Sequence, residues 1–349
     1  MKLVNQHHLL GVTAALCAAQ LAHAAPSASS VDLSTYTLTG TYALPNPSNT
    51  PGAPNLLAEE ASAVTYNRDT GTLFVVGDGG TAVVQISKTG QLINSMSLAS
   101  GSSPQGTAFY DPEGLAYIGN GQFVLTEERY RIANRFTYVA GSTLQYSGAT
   151  RAALATPLGT NGAANTGTEG ITYDPLTSGF IAINQRAGNG GSLQRIYQTG
   201  INFSNGTVTN GGASVVNPTA LFNAANFGLA DLSDVFALSN VSGYAGQARE
   251  SNILVVSLSG DVKEFSRSGS LLSSLKIPGL TASQAEGITM DDAGNLYVVG
   301  EQGSGPNLNQ STMFVYSPGP VPEPETYAMM LGGLAILGAV VRRRKLKVS

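Results

Sequence analysis

The chain has 349 residues, enough for one large domain or two ordinary ones, with 18 Lys+Arg against 22 Asp+Glu. Setting aside Lys2, Glu323, Glu325 and the terminal bases Arg342, Arg343, Arg344, Lys345 and Lys347 leaves 12 cations against 20 acids, so the body is about −8 and lacks a nucleic-acid footprint. His7, His8, His23 and Cys17 are the only residues of their types and Trp is absent, so removal of the N-terminal segment excludes Ser-His-Asp and Cys-His catalysis, histidine-ligated zinc or haem, and any disulfide.

Residues 1–24 read as a signal peptide. Lys2 precedes an apolar run from Leu9 to Leu21, and Ala22-His23-Ala24 supplies the small-x-small pattern ahead of a signal-peptidase cut. The run is short for a permanent span. Leu16 stands before Cys17 where lipoprotein processing needs a small residue, which favours plain export.

Residues 25–318 form the expected folded domain. Glu113-Gly114-Leu115-Ala116-Tyr117 returns as Glu169-Gly170-Ile171-Thr172-Tyr173 and as Glu286-Gly287-Ile288-Thr289-Met290. Ser62-Ala63-Val64-Thr65-Tyr66 and Ser233-Asp234-Val235-Phe236-Ala237 are weaker copies. The starts lie 51 to 64 residues apart, the spacing of long, four-stranded propeller blades. The first blade is expected to run Ser62–Tyr66, Thr72–Gly77, Ala82–Ser87 and Gln91–Leu98, with a turn at Asn67-Arg68-Asp69-Thr70-Gly71. Asp291-Asp292-Ala293-Gly294-Asn295 is the matching turn of the last blade, which lacks an outer strand. The segment from Tyr36 to Pro45 resembles the outer strands Gln91–Leu98 and Gly269–Pro278, so it is expected to close the ring. The fold class is therefore all-β, a β-propeller of five blades of four antiparallel strands. Six blades is the alternative, through the longer third or fourth repeat. Pro218 to Gly228 reads as an added segment before the fourth blade.

The first strand of each blade lines the channel, so Glu113, Glu169 and Glu286 are expected to converge at one mouth, with Ser62 and Ser233 between them. A second set closes the second strands and is expected at a ligand-binding rim: Asp78, Glu127 and Glu301, with Arg129 beside Glu127. Crowded carboxylates repel each other in a low-dielectric channel. Three outcomes are open. The glutamates bind backbone N–H groups and hold the blades in register; they ligate Ca²⁺, favoured by oxygen donors without His or Cys; or they act as catalytic carboxylates. Pairing with Arg129, Arg131 or Arg186 is a further relief. Tyr110, Tyr117, Tyr130 and Tyr173 are available as stacking platforms for a sugar. No haem, zinc or nucleotide site is expected.

Residues 319–349 carry a second address. Pro322-Glu323-Pro324 begins it, an apolar stretch over 327–341 follows as a short expected helix, and Arg342-Arg343-Arg344-Lys345 ends it. This order resembles the PEP-CTERM sorting signal, which implies export, transient membrane anchoring and cutting near Pro322–Pro324 by an exosortase-type membrane protease. The basic cluster stays on the cytoplasmic side under the positive-inside rule.

Asp111-Pro112-Glu113-Gly114, Phe123 through Arg129, Asp231-Leu232-Ser233-Asp234 and Gln284-Ala285-Glu286-Gly287-Ile288 resemble the SdiA-regulated family over about residues 33–317. That resemblance implies an extracytoplasmic propeller and leaves the chemistry open. Asn184-Gln185 departs from the pattern, standing where blades two and five have a glutamate. Two functions follow. One is an exported, surface-associated or secreted binding or matrix protein that recognises exopolysaccharide or cell-envelope glycan. The alternative is a Ca²⁺-dependent phosphoesterase or glycosidase working through carboxylates. Its Glu-Gly opening and acid-closed second strand are similar to those of esterase-like phytase propellers.

Overall fold

A computed structural model describes residues 28–45, 57–154, 167–185, 196–204, 214–229, 231–278, 285–301, 310–319 and 333. Ala28–Glu323 forms one compact unit. The expected signal peptide, Pro322–Pro324 and, apart from residue 333, the apolar stretch 327–341 lie outside the described residues. Among the described residues no helix is long and apolar enough to cross a membrane.

Five antiparallel sheets make five blades. Blade 1 comprises Ala61–Asn67, Thr72–Gly77, Ala82–Ile86 and Leu92–Leu98, as the sequence predicts within one residue. Blade 2 comprises Pro112–Gly119, Gln122–Glu127, Ile132–Thr137 and Thr150–Ala153. Blade 3 is Thr168–Asp174, Gly179–Asn184, Ile196–Ile201 and Val215–Ala220. Blade 4 is Leu232–Ala237, Ile253–Ser257, Asp261–Phe265 and Leu271–Lys276. Blade 5 takes Ala285–Met290, Leu296–Gly300 and Thr312–Ser317 from the end of the chain and Thr37–Ala43 from its beginning. The closing strand pairs Thr37 with Ser317 and Ala43 with Thr312. Five blades replace the six-blade alternative. Pro218 lies in the outer strand of blade 3, so the segment read as an addition before blade 4 begins inside its neighbour. Blade 1 also gains a short parallel edge, Thr143–Leu144, which covers its outer strand.

Each apolar cluster lies at a seam between consecutive blades. Phe74, Val76 and Val83 meet Leu115, Phe123 and Leu125 between blades 1 and 2. Leu73, Val75 and Val84 meet Tyr297, Val299 and Met313 where blade 5 returns to blade 1. The remaining seams are built alike. Middle strands therefore bury both faces, which explains their nearly continuous apolar runs.

The repeated phrase encodes the seam. Its fourth residue is threonine in blades 1, 3 and 5, and the hydroxyl accepts the N–H of the next blade's fifth residue. Tyr117 N donates to Thr65 (3.2 Å), Ala237 N to Thr172 (3.4 Å) and Tyr66 N to Thr289 (3.1 Å). In blades 2, 3 and 5 the second residue is glycine, because the next inner strand passes too close for a side chain. A Cβ on Gly114 would lie 2.7 Å from Glu169 O, and one on Gly287 would lie 2.7 Å from Val64 N. Gly287→Ala is therefore expected to destabilise the protein by about 1–3 kcal/mol in denaturant titration, because backbone must yield. An unchanged midpoint would show that the seam has slack.

Charged clasps reinforce two seams. Lys88 in the Ser87-Lys88-Thr89-Gly90 turn of blade 1 reaches Asp291 of blade 5 at 2.6 Å. Arg267 in the equivalent Ser266-Arg267-Ser268-Gly269 turn of blade 4 grips Asp174 of blade 3 with two hydrogen bonds, 2.8 and 2.9 Å. Asp291 also accepts Asn295 N and Ala293 N, so the last-blade turn is the hairpin expected there.

Candidate functional site: a carboxylate well on the propeller axis

Every inner strand breaks register at the first residue of the phrase. The bulges fall between Ala61 and Ala63, Pro112 and Gly114, Thr168 and Ile171, Leu232 and Asp234, and Ala285 and Gly287. A bulge re-aims one side chain, here at the mouth where the inner strands begin. The residue two places earlier is left-handed in three blades: Glu60, Asp111 and Asp231 have φ of 49°, 61° and 52°.

Glu113, Glu169 and Glu286 meet there, as the repeats predict. They line a cavity of about 170 Å³ with Asp78, Asp111, Glu128, Glu301, Gln185 and Arg129. Asp78, Arg129 and Glu301 from the expected rim are therefore part of the same well. Glu127 is not. It is wholly buried in blade 2, accepting Tyr110 N at 2.6 Å and Asn134 Nδ2 at 2.8 Å. Register supplies the reason. Pro112 pairs with Glu127 where Ala61 pairs with Gly77 and Ala285 with Gly300. The counterpart of Asp78 and Glu301 is thus Glu128, one residue on, and strand alternation turns its neighbour inward. By the same count Gln185 is the blade 3 member and Leu258 the blade 4 member. Glu128 and Asp111 were missed as well residues. Counting back from the repeat glutamate through the hairpin register would have found Glu128.

The serines behave differently. Ser62 Oγ bonds Glu60 O and accepts Asp78 N, while Ser233 Oγ donates to Ala285 O. Both are spent on backbone. Arg129 Nε donates to Asp111. Arg131 turns away, bonding Arg129 O, and Arg186 lies outside the described residues. Tyr117 and Tyr173 line a small pocket at the other end of the inner strands, with Thr65, Thr172 and Met290. Tyr110 and Tyr130 stay on the acidic side, ring centroids 5.1 Å apart.

Seven acids and one guanidinium surround the well. Burial first, then Glu169 and Asp78, drives Glu113 well above the usual carboxylate range. Burial followed by Glu128 and Glu286 does the same to Glu169. Glu286 rises through burial, Glu301 and Glu113. Asp78 is pushed up to about 7 by burial and then by Glu60 and Glu301. Burial also raises Glu128, although Gly167 N–H partly offsets it at 2.9 Å. Such a well holds protons or a cation.

The residues fit a cation. One carboxylate oxygen from each of Asp78, Asp111 and Glu113 lies within 4.8 Å of the others. Asp78 Oδ1 is sealed from solvent and accepts no hydrogen bond. The donors are oxygen alone, which suits Ca²⁺ or Mg²⁺. The tightest triad therefore shares only Glu113 with the trio expected from the repeats.

Solved structures similar to this chain are propellers of low identity. A luciferin-regenerating enzyme is 11% identical over 76% of this chain and 94% of its own, with a TM-score of 0.44. A gluconolactonase from Xanthomonas campestris is 13% identical over 76% and 88%, TM-score 0.41. Virginiamycin B lyase from Staphylococcus aureus is 13% identical over 78% and 68%, TM-score 0.36. Residues 320–345 match the PEP-CTERM protein-sorting motif, which implies processing by exosortase-type machinery. Residues 53–309 match the SdiA-regulated family, spanning blades 1 to 4 and the two inner strands of blade 5. With its five-bladed ring and acid-lined axis, the chain belongs to the SdiA-regulated family.

Proposed function

We propose that the protein is an exported binding protein of the cell surface or matrix that holds a Ca²⁺ ion in the axial well and engages exopolysaccharide or envelope glycan at that face. Signal peptidase removes residues 1–24, and an exosortase-type protease cuts near Pro322-Glu323-Pro324 after transient anchoring by 327–341. The convergence of Asp78, Asp111 and Glu113 carries the reading. Their charges need a counter-ion once ionised, and Arg129 is already shared with Asp111. A bound Ca²⁺ supplies it and offers remaining coordination positions to sugar hydroxyls.

The test is retention of the purified full-length protein on its host's exopolysaccharide. Retention is expected with 1 mM-scale (about 10⁻³ M) Ca²⁺, with loss in EDTA and in Glu113→Gln. Retention that ignores both would sink the role given to the well.

A second reading, a carboxylate hydrolase, is favoured by one observation. Glu169 and Glu286 stand in the well outside the Asp78, Asp111 and Glu113 triad, which leaves carboxyls for general acid and base roles beside a bound metal. It predicts turnover of a phosphoester or glycoside that EDTA stops and Glu286→Gln abolishes. A substrate panel without such turnover removes it.

A further inference from the structure

Beside the well lies a second cavity of about 320 Å³ that shares Asp78, Asp111 and Arg129 with it. Its own walls come from the chain entering blade 1 (Glu59, Glu60) and from the link between blades 1 and 2 (Pro104, Gln105, Tyr110). The volume lies within the small-ligand range.

The chemistry of the wall is one-sided. Gln105 Nε2 donates to Phe109 O at 3.1 Å and Arg129 Nε donates to Asp111, so one N–H of each is engaged internally. Glu59, Glu60, Asp78 and Asp111 line it with carboxylates. Tyr110 adds a flat surface braced from two sides. Tyr130 packs at 5.1 Å and 46°, and the Arg129 guanidinium sits 5.7 Å from the Tyr110 centroid. An anionic sugar meets Glu59 and Glu60 beside the Asp78 and Asp111 pair, more acid than the single Arg129 guanidinium offsets. A neutral sugar leaves Glu59 and Glu60 without a counter-charge.

We propose that this cleft binds an amino sugar bearing a free ammonium group, as one unit of a partly deacetylated hexosamine polymer. Glu59 and Glu60 take the ammonium, and the apolar face of the pyranose lies on Tyr110. The inference rests on the glycan-binding role proposed above, but the contacts to Glu59, Glu60 and Tyr110 do not pass through the cation.

Calorimetric titration of the full-length protein with four probes tests it: tetraglucosamine, its fully N-acetylated form, tetragalacturonate and tetralysine, each with Ca²⁺ and with EDTA. Saturable binding is expected for tetraglucosamine, at least about tenfold tighter than for the other three. Glu59→Gln and Tyr110→Ala are each expected to weaken it about tenfold, while the Ca²⁺-induced rise in melting temperature persists and certifies a folded well. Equal binding of the acetylated form, preference for galacturonate, tetralysine binding as tightly, or an unaffected Glu59→Gln variant would each overturn the proposal. Loss of the Ca²⁺ response with retained tetraglucosamine binding would instead overturn the cation reading alone.

Discussion

Calcium is expected to raise the melting temperature strongly at pH 8 and only slightly at pH 5.5. The sign follows from the well. The Asp78 carboxyl rises from an ordinary value near 4 to about 7 in the folded protein, and burial and crowding also hold Glu113, Glu169 and Glu286 well above the usual carboxylate range. Groups raised in this way stabilise the fold while protonated, fully so below their unfolded values. That contribution is lost as pH climbs through the folded ones. The cation-free protein should therefore lose stability between pH 5 and pH 8. Calcium replaces the departing protons, so its benefit grows over the same interval. At a thousandfold excess over Kd the gain is about 4 kcal/mol. Glu113→Gln should reduce the calcium shift sharply. Glu127→Gln is the control. Burial pushes this acid up to about 7 against the opposing hydrogen bonds from Tyr110 and Asn134, but its carboxylate faces away from the well, so the shift should remain. Differential scanning fluorimetry across pH, with and without EDTA, checks every part. A pH-independent shift would place the ion outside the well.

Asp174→Ala should cost about 3–5 kcal/mol, the usual consequence of breaking a buried ion pair from one side. Asp174 is wholly buried and accepts Arg267, Thr177 and Ser239. Burial alone would raise its pKa, yet the bonds from Arg267 and Thr177 outweigh that and hold the group below the usual range. Asp291 is lowered in the same way, with Lys88 and Asn295 overcoming burial. Stability from these two acids is present above their ordinary values near 4 and disappears as pH falls through the lower, folded ones. Acid unfolding should therefore set in below about pH 4, on the opposite side from the well's response. Urea titration of the wild type and of Asp174→Ala at pH 7 and pH 3 checks the claim. The variant should be much weaker at pH 7, and the gap should narrow at pH 3. A gap that stays constant would show that the acid's charge is not what matters.

The ring was legible because the phrase recurs with its chemistry intact. Glu113, Glu169 and Glu286 could be aligned by eye, and the likeness of residues 36–45 to other outer strands revealed the closure. The clasps were harder to see. Lys88 and Arg267 sit in ordinary turn sequences, and their partners lie 203 and 93 residues away. Glu127 was misplaced because sequence shows that two adjacent acids end a strand, whereas facing depends on a hairpin register set by a bulge. Asp111 stands out in the sequence only as part of the Asp111-Pro112-Glu113-Gly114 block. Its left-handed backbone and the approach of Arg129 bring it into the well, and neither is written in residue type. The blade 3 gap was visible as Asn184-Gln185, and the structure gives it meaning: an amide replaces an acid where Gln185 lines the cavity.

The union of Thr37–Ala43 with Thr312–Ser317 also sets a timetable. Thr39 and Val315 touch across 276 residues, so a chain emerging N-terminus first must carry an unmatched strand until almost all of it has appeared. Until then four blades wait on the fifth. Once the latch shuts, Gly319 N bonds Thr35 O, and among the described residues every strand of the ring lies at or before Ser317. Trimming whatever follows residue 319 leaves every described strand of the five blades in the finished ring.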